Sequence, residues 1–538
     1  MVPRGLGVIA INVADILESH VTLEVTSVDR LYLNLYVPWL QQPGGVYQFM
    51  KTVRGLPLPS PAILGQIGSD YVRRVERFAR DHGIPLEPFP KDVRKEDFVR
   101  PLFAKAMAEG RTGVVFIGTA QEKARSFRGV RAPEAKADKR PWFRFTPSTV
   151  YVKYFYFYIL DPEFGPSFLK MCTYMPFTGR VYLNGHEWAK RQLTKEGIGF
   201  TELDNGFASC DAPARLQTIA NNFGPTQVTD YVRRWSSVLP WPFTPEDRQA
   251  GCEHSLSLLQ TEVSLTQVFD RPRVGRAFFE QAIHDHLDLG RPEEMALVFD
   301  RRVTKRTPGS FRTRVIHDGV LPSIHAHYKD CAVKQYFKEG RGLRTETTVN
   351  NTYDLGINRG VANLPAVIAY GRSTNLRLLA HEQASARCLA AMPTLEQLFT
   401  ATEHPGGRAP ALPFGQPRAM ALERAVCLLA LGALKPLGFR ARDLRPAMEG
   451  LLGDTYTPTN ATYDLRRLRL KGIIERVPKS HRYRVTVQGL RLCLAVVKLY
   501  DRVLAPAHSH YRGQPASAAV ERAVKAVDRH LAALTAIA

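Results

Sequence analysis

Two carboxylates lie where hydrophobic strands are predicted to end, and a third lies between them in the sequence. Asp161 closes the stretch "FYFYILD", Asp204 lies in "FTELDNG", and Glu187 lies between them in "NGHEWAKRQ". Carboxylates at strand ends can hold two Mg²⁺ or Mn²⁺ ions for phosphodiester cleavage or strand transfer. These three residues are therefore catalytic candidates, with Mg²⁺ or Mn²⁺ as the cofactor if the protein is an enzyme. The alternative is that Asp-Asn-Gly is simply a turn.

The Asp-Asn-Gly sequence resembles the second acidic motif of RNase H-like transposases. The resemblance implies a further acidic ligand downstream, and Glu253 is the candidate for it. It also implies a nuclease, transposase or recombinase of a mobile element as an alternative to a pure binding protein.

Two histidines, His325 and His327 in "SIHAHYK", fall on one face of a predicted strand, as two metal ligands would. The pair is similar to the paired histidines of HUH endonucleases, and this resemblance implies a tyrosine nucleophile, Tyr328 or Tyr336. Chance is the alternative, because His284 and His286 have the same spacing.

A third pattern is "GRGLRTETTVN", where Arg344 and Glu346 alternate on one predicted strand. The two side chains could form an ion pair, or Glu346 could complete a metal site.

Basic hairpins are predicted between residues 311 and 350, with turns at Asp318-Gly319, Lys329-Asp330 and Glu339-Gly340. Cations that alternate with tyrosines on a strand suit a surface that pairs with phosphates and stacks on bases, although a solvated sheet face has the same pattern. The residues predicted to bind nucleic acid here are Arg312, Arg314, Lys334, Lys338, Arg341 and Arg344.

Beyond the Pro- and Gly-rich stretch 403–417, the sequence predicts helices, a short strand pair and a final helix. "TPTNATYDLRRLRLKG" has helical spacing, with Thr457 or Thr459 as its N-cap. "IIERV" and "RYRVTVQG" then flank the basic tip "PKSH". Residues 418–504 carry 17 Lys and Arg against 7 Asp and Glu, a net charge of +10.

This order of elements resembles the winged helix-turn-helix family of DNA-binding domains, on the motif "YDLRRLRLKGIIERV…HRYRVT". The resemblance implies that the helix over 459–471 enters the major groove of duplex DNA while the wing touches the backbone or minor groove. It implies that Asn460 reads adenine, Arg467 reads guanine, and Arg466 and Lys471 hold phosphates. The remaining implied contacts are Tyr463, Lys479, His481 and Arg482. A winged helix used only for protein contact, or to hold a dimer, is the alternative.

The composition agrees with a nucleic-acid partner. Among 538 residues, 73 Lys and Arg exceed 51 Asp and Glu, which gives a net charge of +22. Such a balance favours a polyanion, with DNA ahead of RNA. Seven cysteines without a CxxC pair favour the reducing cytoplasm, and no apolar run approaches the ~20 residues that span a membrane, so no membrane partner is expected.

The predicted fold class is α+β and multi-domain, with a mixed α/β body, antiparallel basic hairpins and a C-terminal winged helix. The predicted divisions are a mixed α/β domain over 1–130, a central body over 142–400 with a helical segment over 236–300, a linker over 403–417, a winged helix over 418–504, and a tail or helix over 505–538. The predicted function is nucleic-acid binding, with metal-dependent phosphodiester cleavage or RNA binding as alternatives.

Overall fold

The computed structural model describes residues 16–56, 60–131, 143–286, 311–318, 321–387, 395–403, 407–432, 439–453, 456–478 and 480–504. The predicted tail over 505–538 and the wing residue Lys479 lie outside these residues.

Fifteen strands occur in the described residues. They are β1 (Val21–Tyr36), β2 (Leu86–Pro88), β3 (Gly113–Arg131), β4 (Phe143–Asp161), β5 (Gly165–Cys172), β6 (Gly179–Asn184), β7 (Phe200–Glu202), β8 (Phe207–Cys210), β9 (Ser255–Phe269), β10 (Phe311–Asp318), β11 (Leu321–Tyr328), β12 (Cys331–Lys338), β13 (Gly342–Val349), β14 (Ile474–Arg476) and β15 (Tyr483–Val485).

The α-helices of the described residues alternate with these strands. They are α1 (Ile16–Ser19), α2 (Pro43–Gln48), α3 (Pro61–Asp81), α4 (Lys95–Ala108), α5 (Gly185–Lys195), α6 (Pro213–Asn222), α7 (Pro225–Val238), α8 (Pro245–Gln249), α9 (Pro272–His286), α10 (Leu364–Arg387), α11 (Glu396–Phe399), α12 (Pro417–Gly432), α13 (Ala441–Leu452), α14 (Pro458–Leu470) and α15 (Val487–Leu499).

The chain forms two compact units, each built from separated segments. The sheet unit consists of Thr22–Asp270 and Asp330–Ser373, and the C-terminal unit consists of Met1–Val21, Arg271–Lys329 and Thr374–Ala538. The predicted mixed α/β character of the chain is therefore confirmed, and the structure adds a large mixed sheet that was not predicted. The predicted domain divisions differ from these two units.

The sheet unit contains a large mixed sheet in the strand order β12-β13-β9-β1-β6-β5-β4-β3-β2. Strands β3 and β4 pair antiparallel along nearly their whole length, from Gly113 opposite Leu160 to Arg131 opposite Phe143. This ladder joins residues of the predicted 1–130 domain to residues of the predicted 142–400 body.

The aromatic run of β4 is buried on both faces of the sheet, as its composition predicts. Phe155 and Phe157 face one layer, where Tyr71 of α3 packs edge-on against Phe155 at 6.1 Å between ring centroids. Tyr156 and Tyr158 face the other, where Phe98 and Phe103 of α4 pack. Core aromatic packing therefore accounts for this strand.

The stretch "SLSLLQTEVSLTQVF" departs from prediction. It was expected to be helical within 236–300, but it forms strand β9, which pairs antiparallel with β13. Its Thr and Val residues are β-branched, and both of its faces are almost entirely buried, so packing between β1 and β13 outweighs the apparent helical spacing.

In the C-terminal unit, α12 to α15 and the β14–β15 pair share one hydrophobic core, which includes Leu422, Leu465 and Val496. Helix α14 begins at the predicted cap, where the Thr457 hydroxyl accepts from the Asn460 N–H at 3.2 Å, and it is followed by Gly472 at φ 69°. Leu412 is fully buried in the same core, so part of the predicted 403–417 linker packs on this unit.

No helix in the described part of the chain combines the length and the apolar character needed to cross a membrane.

Candidate metal centre

Three buried carboxylates converge inside the sheet unit. Asp29, Glu262 and Glu346 each place a carboxylate oxygen within 4.8 Å of the others. Asp29 is 1% exposed, whereas Glu262 and Glu346 retain 8% and 9%. Among the described residues this is the one group of three acidic, histidine or cysteine side chains at metal-ligand spacing.

Adjacent strands bring the three side chains together. Asp29 lies on β1, Glu262 on β9 and Glu346 on β13, and these strands are neighbours in the order β13-β9-β1. Thr348 pairs with Glu262 and Glu346 with Ser264 in the β13–β9 ladder. Since alternate residues of a strand share a face, Glu346 and Glu262 lie on the same side of the sheet.

Arg344 is the cation of the cluster and is fully buried. Its guanidinium forms ion pairs with Asp29 at 2.5 Å and with Glu346 at 2.7 Å. When all three carboxylates are ionised, they carry three negative charges against one positive charge. A divalent cation would bring this buried group to neutrality, which makes hard oxygen-seeking ions such as Mg²⁺ or Mn²⁺ suitable occupants.

The Asp-Asn-Gly turn supports this arrangement from the loop between β7 and β8. Asn205 donates its side-chain amide to Asp29, and its backbone carbonyl accepts from Arg344. A Cβ on Gly206 would lie 3.0 Å from the Arg344 guanidinium, so glycine permits the close approach. Asn184 then donates to Asn205 at 2.8 Å while capping α5.

The three carboxyl groups differ in pKa. Burial, together with the Asp29 and Glu346 carboxylates, raises the pKa of Glu262 to about 8. Burial and Asp29 also raise the pKa of Glu346, and Arg344 offsets only part of that rise. Burial opposes ionisation of Asp29, but the Arg344 charge outweighs it and holds the pKa of Asp29 well below its usual value. Asp29 is therefore the ionised anchor of the cluster.

His186, in the first turn of α5, fixes the guanidinium from another side. Its Nε2 lies 3.1 Å from Arg344 and 2.9 Å from the Ser264 hydroxyl. Burial and the Arg344 charge lower the pKa of His186 to about 3, so the ring is neutral. Because Nε2 accepts from Arg344, the proton resides on Nδ1, which is buried without a hydrogen-bond partner.

The catalytic residues predicted from the sequence do not form this group. Asp161 is buried at the end of β4, where it accepts from Trp235 at 2.7 Å and pairs with Arg234 at 3.1 Å, which is the role of a structural anchor. Glu187 and Asp204 lie near each other through Lys190, which donates to the Glu187 carboxylate and to the Asp204 carbonyl at 2.8 Å each. The structure brings Glu187 and Asp204 near each other but places Asp161 in a separate set of contacts, and Asp204 adjoins Asn205 of the carboxylate cluster.

The other predicted metal ligands, His325 and His327, do share a face of β11, with their rings stacked at 6.4 Å between centroids. His325 contacts the Ser323 hydroxyl at 2.9 Å. The described residues add no third ligand at metal-ligand spacing beside this pair.

Of the basic residues predicted to bind nucleic acid between residues 311 and 350, some are exposed or half-buried and others are buried. Lys334 lies over the ring of Tyr336 at 4.6 Å, as their shared strand face predicted, and both are half-buried. Lys338 is nearly buried and pairs with Asp204 at 3.1 Å, so neither Lys338 nor the fully buried Arg344 offers a surface contact for phosphate. Arg341 is exposed. The backbones of Arg312 and Arg314 pair with His327 and His325, and their side chains lie outside the described residues.

On α14, packing alters the predicted reading face. Tyr463 and Arg466 are exposed, but Arg467 is 8% exposed and donates to the Pro410 carbonyl at 3.3 Å. Lys471 donates to the Thr402 hydroxyl at 3.2 Å. The segment before α12 therefore covers the side of the helix on which Arg467 lies, and the contact of Arg467 with guanine stays a prediction.

Other predicted contacts keep some solvent exposure. Asn460 and Arg482 are half-buried and His481 is exposed. Arg469, which the prediction omitted, is exposed one helical turn from Arg466.

Sequence reasoning missed Asp29, Glu262 and His186 altogether. The usable signals were a lone Asp inside the hydrophobic strand "VTSVDRLYL" and a lone Glu inside "LLQTEVSLT". An acidic residue in a strand that is otherwise buried requires a partner, and that requirement identifies it as a candidate. Glu346 was weighed as a metal ligand, and its ion pair with Arg344 on the same strand is observed.

Comparison of the chain with protein-family models, with curated proteins and with solved structures gives no match. The function is therefore argued from the site and its surroundings alone.

Proposed function

We propose that the protein binds nucleic acid and that Asp29, Glu262 and Glu346 hold a divalent cation for phosphodiester chemistry. The observation that carries the proposal is the meeting of three carboxylates on adjacent strands with a single compensating cation, Arg344. An all-oxygen donor set of this kind suits Mg²⁺ or Mn²⁺ better than Zn²⁺.

The residues around such an ion have different roles. Asp29 is the ionised first ligand, and Glu262 and Glu346 release their protons when a cation binds, because a metal competes with protons for the same oxygens. Arg344 and His186 keep Asp29 and Glu346 in place, so they act as positioning residues. Glu262 and Glu346 retain the residual exposure, which makes their side the approach for a phosphate.

Duplex DNA is the proposed partner of the C-terminal helices. Helix α14 presents Thr462, Tyr463, Arg466 and Arg469 to solvent, at helical spacing and next to the β14–β15 pair. An arginine-bearing helix face beside a basic strand pair is the arrangement with which winged helix proteins contact a major groove. Arg466 and Arg469 replace the buried Arg467 as the proposed contacts.

Metal binding is tested on the purified full chain by calorimetric titration with Mn²⁺. We expect one site in the wild type, and loss of that site in Glu262→Gln and Glu346→Gln. Asp204→Asn is the matched control, because Asp204 is a nearby carboxylate outside the cluster, and it should retain the site. Absence of binding in the wild type would overturn the metal centre.

Cleavage is tested separately, with labelled single- and double-stranded DNA and RNA and with Mn²⁺ or EDTA. Products that need Mn²⁺ and disappear in Glu262→Gln support the enzyme. Mn²⁺ binding without products would overturn the phosphodiester chemistry and leave the cation a structural role.

A second candidate function is nucleic-acid binding without catalysis. It is favoured by the ion pairs of Arg344, which already neutralise part of the cluster, and by the 1% exposure of Asp29. In that case the carboxylates form a buried ionic network that fixes the register of β1, β9 and β13. Salt-sensitive binding of duplex DNA without Mn²⁺ uptake is its signature, and RNA binding is distinguished by comparing the two polymers.

A further inference from the structure

An aromatic and basic surface lies on one face of the central sheet. In register, Tyr32 of β1 is opposite Tyr182 of β6, which is opposite Phe168 of β5. Asn34 pairs with Arg180, and Arg180 pairs with Lys170. Because directly paired residues share a face, these side chains stand together; we call Arg30, Tyr32, Phe168, Lys170, Arg180 and Tyr182 the aromatic-basic face.

The rings of this face contact one another. The centroids of Tyr32 and Tyr182 lie 5.0 Å apart, and those of Phe168 and Tyr182 lie 5.4 Å apart with the ring planes at 15°. All three rings are half-buried, while Arg30 and Arg180 are exposed. The opposite face of the same strands carries Leu33, Val181 and Leu169, which are fully buried.

On β4 this face is covered by α4, but on β1 and β6 it keeps exposed guanidinium groups beside half-buried rings, where an outer face normally carries polar residues. Aromatic rings beside exposed guanidinium groups supply the two contacts that single-stranded nucleic acid needs, which are stacking for bases and charge for phosphates. Lys170 adds a cation 4.1 Å above the ring of Tyr154, and Lys95 of α4 lies 4.1 Å above Tyr156.

The local charge is positive in balance. Lys95 and Lys170 share one carboxylate, Glu122, whose pKa they and Tyr156 lower to about 2 despite its burial. Arg30 and Arg180 add two more positive charges, and Glu96 of α4 and Glu262 of β9 are the carboxyl groups that act on Tyr32. Four cations against three carboxyl groups, of which Glu262 has a raised pKa, make the face complementary to a polyanion.

Asp29 of the carboxylate cluster precedes Arg30 on β1, and consecutive residues of a strand point to opposite faces of the sheet. The cluster is therefore not part of this face, although the charge of Glu262 acts on both Arg30 and Tyr32. A strand of nucleic acid bound to the aromatic-basic face therefore needs no contact with the metal ligands.

We infer that the aromatic-basic face binds a single strand of nucleic acid. This binding does not rest on the proposed metal function. Duplex binding by α14 and single-strand binding by this sheet face would then be separate properties of one chain.

The test uses a 20-nucleotide oligothymidine that carries 5-iododeoxyuridine, bound to the full chain in EDTA and cross-linked by light. We expect cross-links on the peptides that contain Tyr32 or Tyr182. An iodouridine-substituted RNA of the same length distinguishes RNA from DNA as the favoured polymer. Cross-links confined to the residues of α14 and the β14–β15 pair would overturn the inference.

Affinity measurements by fluorescence anisotropy complete the test. Arg30→Gln with Arg180→Gln should weaken oligothymidine binding at least tenfold and reduce the slope of log K against log salt by about 1.4, which corresponds to two phosphate contacts on a single strand. Tyr182→Leu, which keeps apolar volume, should weaken it roughly tenfold through lost stacking. Arg233→Gln on α7 is the control and should change nothing. Unchanged binding in both face variants would overturn the inference.

The two proposals fail in different ways. Because the cross-linking and affinity measurements are made in EDTA, a missing metal site leaves them unaffected. Conversely, Mn²⁺ titration of Arg180→Gln should reproduce the wild-type isotherm even if oligothymidine binding is lost.

Discussion

Glu423 of α12 is a buried acid in the core of the C-terminal unit, and it predicts a specific loss of stability with rising pH. The side chain is 1% exposed, and neither carboxylate oxygen has a hydrogen-bond partner. Burial raises its pKa to about 8, although Arg467 of α14 and Arg424 of α12 act in the opposite direction. Cys493 of α15 is a further titratable neighbour, and its pKa is itself raised by burial.

The sign follows from linkage between proton binding and folding. Above its ordinary pKa of 4.5, Glu423 is ionised in the unfolded chain but stays protonated in the folded unit up to about pH 8. The unfolded state therefore binds fewer protons, and stability falls as pH rises through this window. At about 1.4 kcal/mol per pH unit, the loss between pH 5 and pH 8 amounts to about 4 kcal/mol.

The assay is urea unfolding of the full chain at pH 5, 6, 7 and 8, followed by pulsed hydrogen exchange of peptides from α12 and α15. Glu423→Gln removes the titrating group, so its stability in these helices should be nearly flat across the range and should exceed that of the wild type at pH 8. Glu475→Gln, at an exposed position of β14, is the control and should keep the wild-type slope. Equal slopes in the wild type and in Glu423→Gln would refute the reasoning.

Three further perturbations test the sites. Arg344→Met leaves the buried, ionised Asp29 without its cation and should cost about 3–5 kcal/mol of stability near neutral pH, and less in acid, as read by urea unfolding. Gly206→Ala places a Cβ 3.0 Å from the Arg344 guanidinium and should cost about 1–3 kcal/mol, whereas Gly65→Ala in α3, with no atom within 4 Å, should not destabilise the protein. Arg467→Gln should lower the stability of the C-terminal unit and leave duplex binding at wild-type strength, and Arg466→Gln should do the reverse, as read by unfolding and mobility shift.

Each of these expectations can fail in a recognisable way. An Arg344→Met protein as stable as the wild type would mean that Asp29 does not depend on the Arg344 charge. Loss of duplex binding in a stable Arg467→Gln protein would mean that the helix reads DNA with the covered side, after the preceding segment has moved away.

Local patterns predicted the elements well where one interaction dominates. The "FYFYIL" run became a buried strand, "GRVYLNGHEWAKRQ" became a strand and a helix, and Thr457 capped α14 as expected. In each case the deciding contacts lie within a few residues or along one ladder.

The candidate metal centre was beyond sequence reasoning for the opposite reason. Its ligands at positions 29, 262 and 346 are separated by more than 80 residues and meet only because β13, β9 and β1 become neighbours. The acidic residues at predicted strand ends were chosen as candidates instead, because the end of a strand can be located from the local sequence alone. The burial of Arg467 could not be predicted for a similar reason. Helical spacing shows which face of the helix carries Arg467, but it does not show what covers that face.

The interleaving of the two units also constrains how this protein can be made and divided. Strand β9 (255–269) pairs with β13 (342–349), which is synthesised later. Residues 271–329, which lie between the two strands in the sequence, belong to the other unit. During synthesis, the edge of β9 that pairs with β13 therefore stays unpaired until β13 has been made. An unpaired strand edge can pair with another chain. A fragment ending near residue 270 would keep that exposed edge permanently, so we expect it to aggregate. In practice, the protein should be expressed as the intact chain, with slow translation or with chaperones.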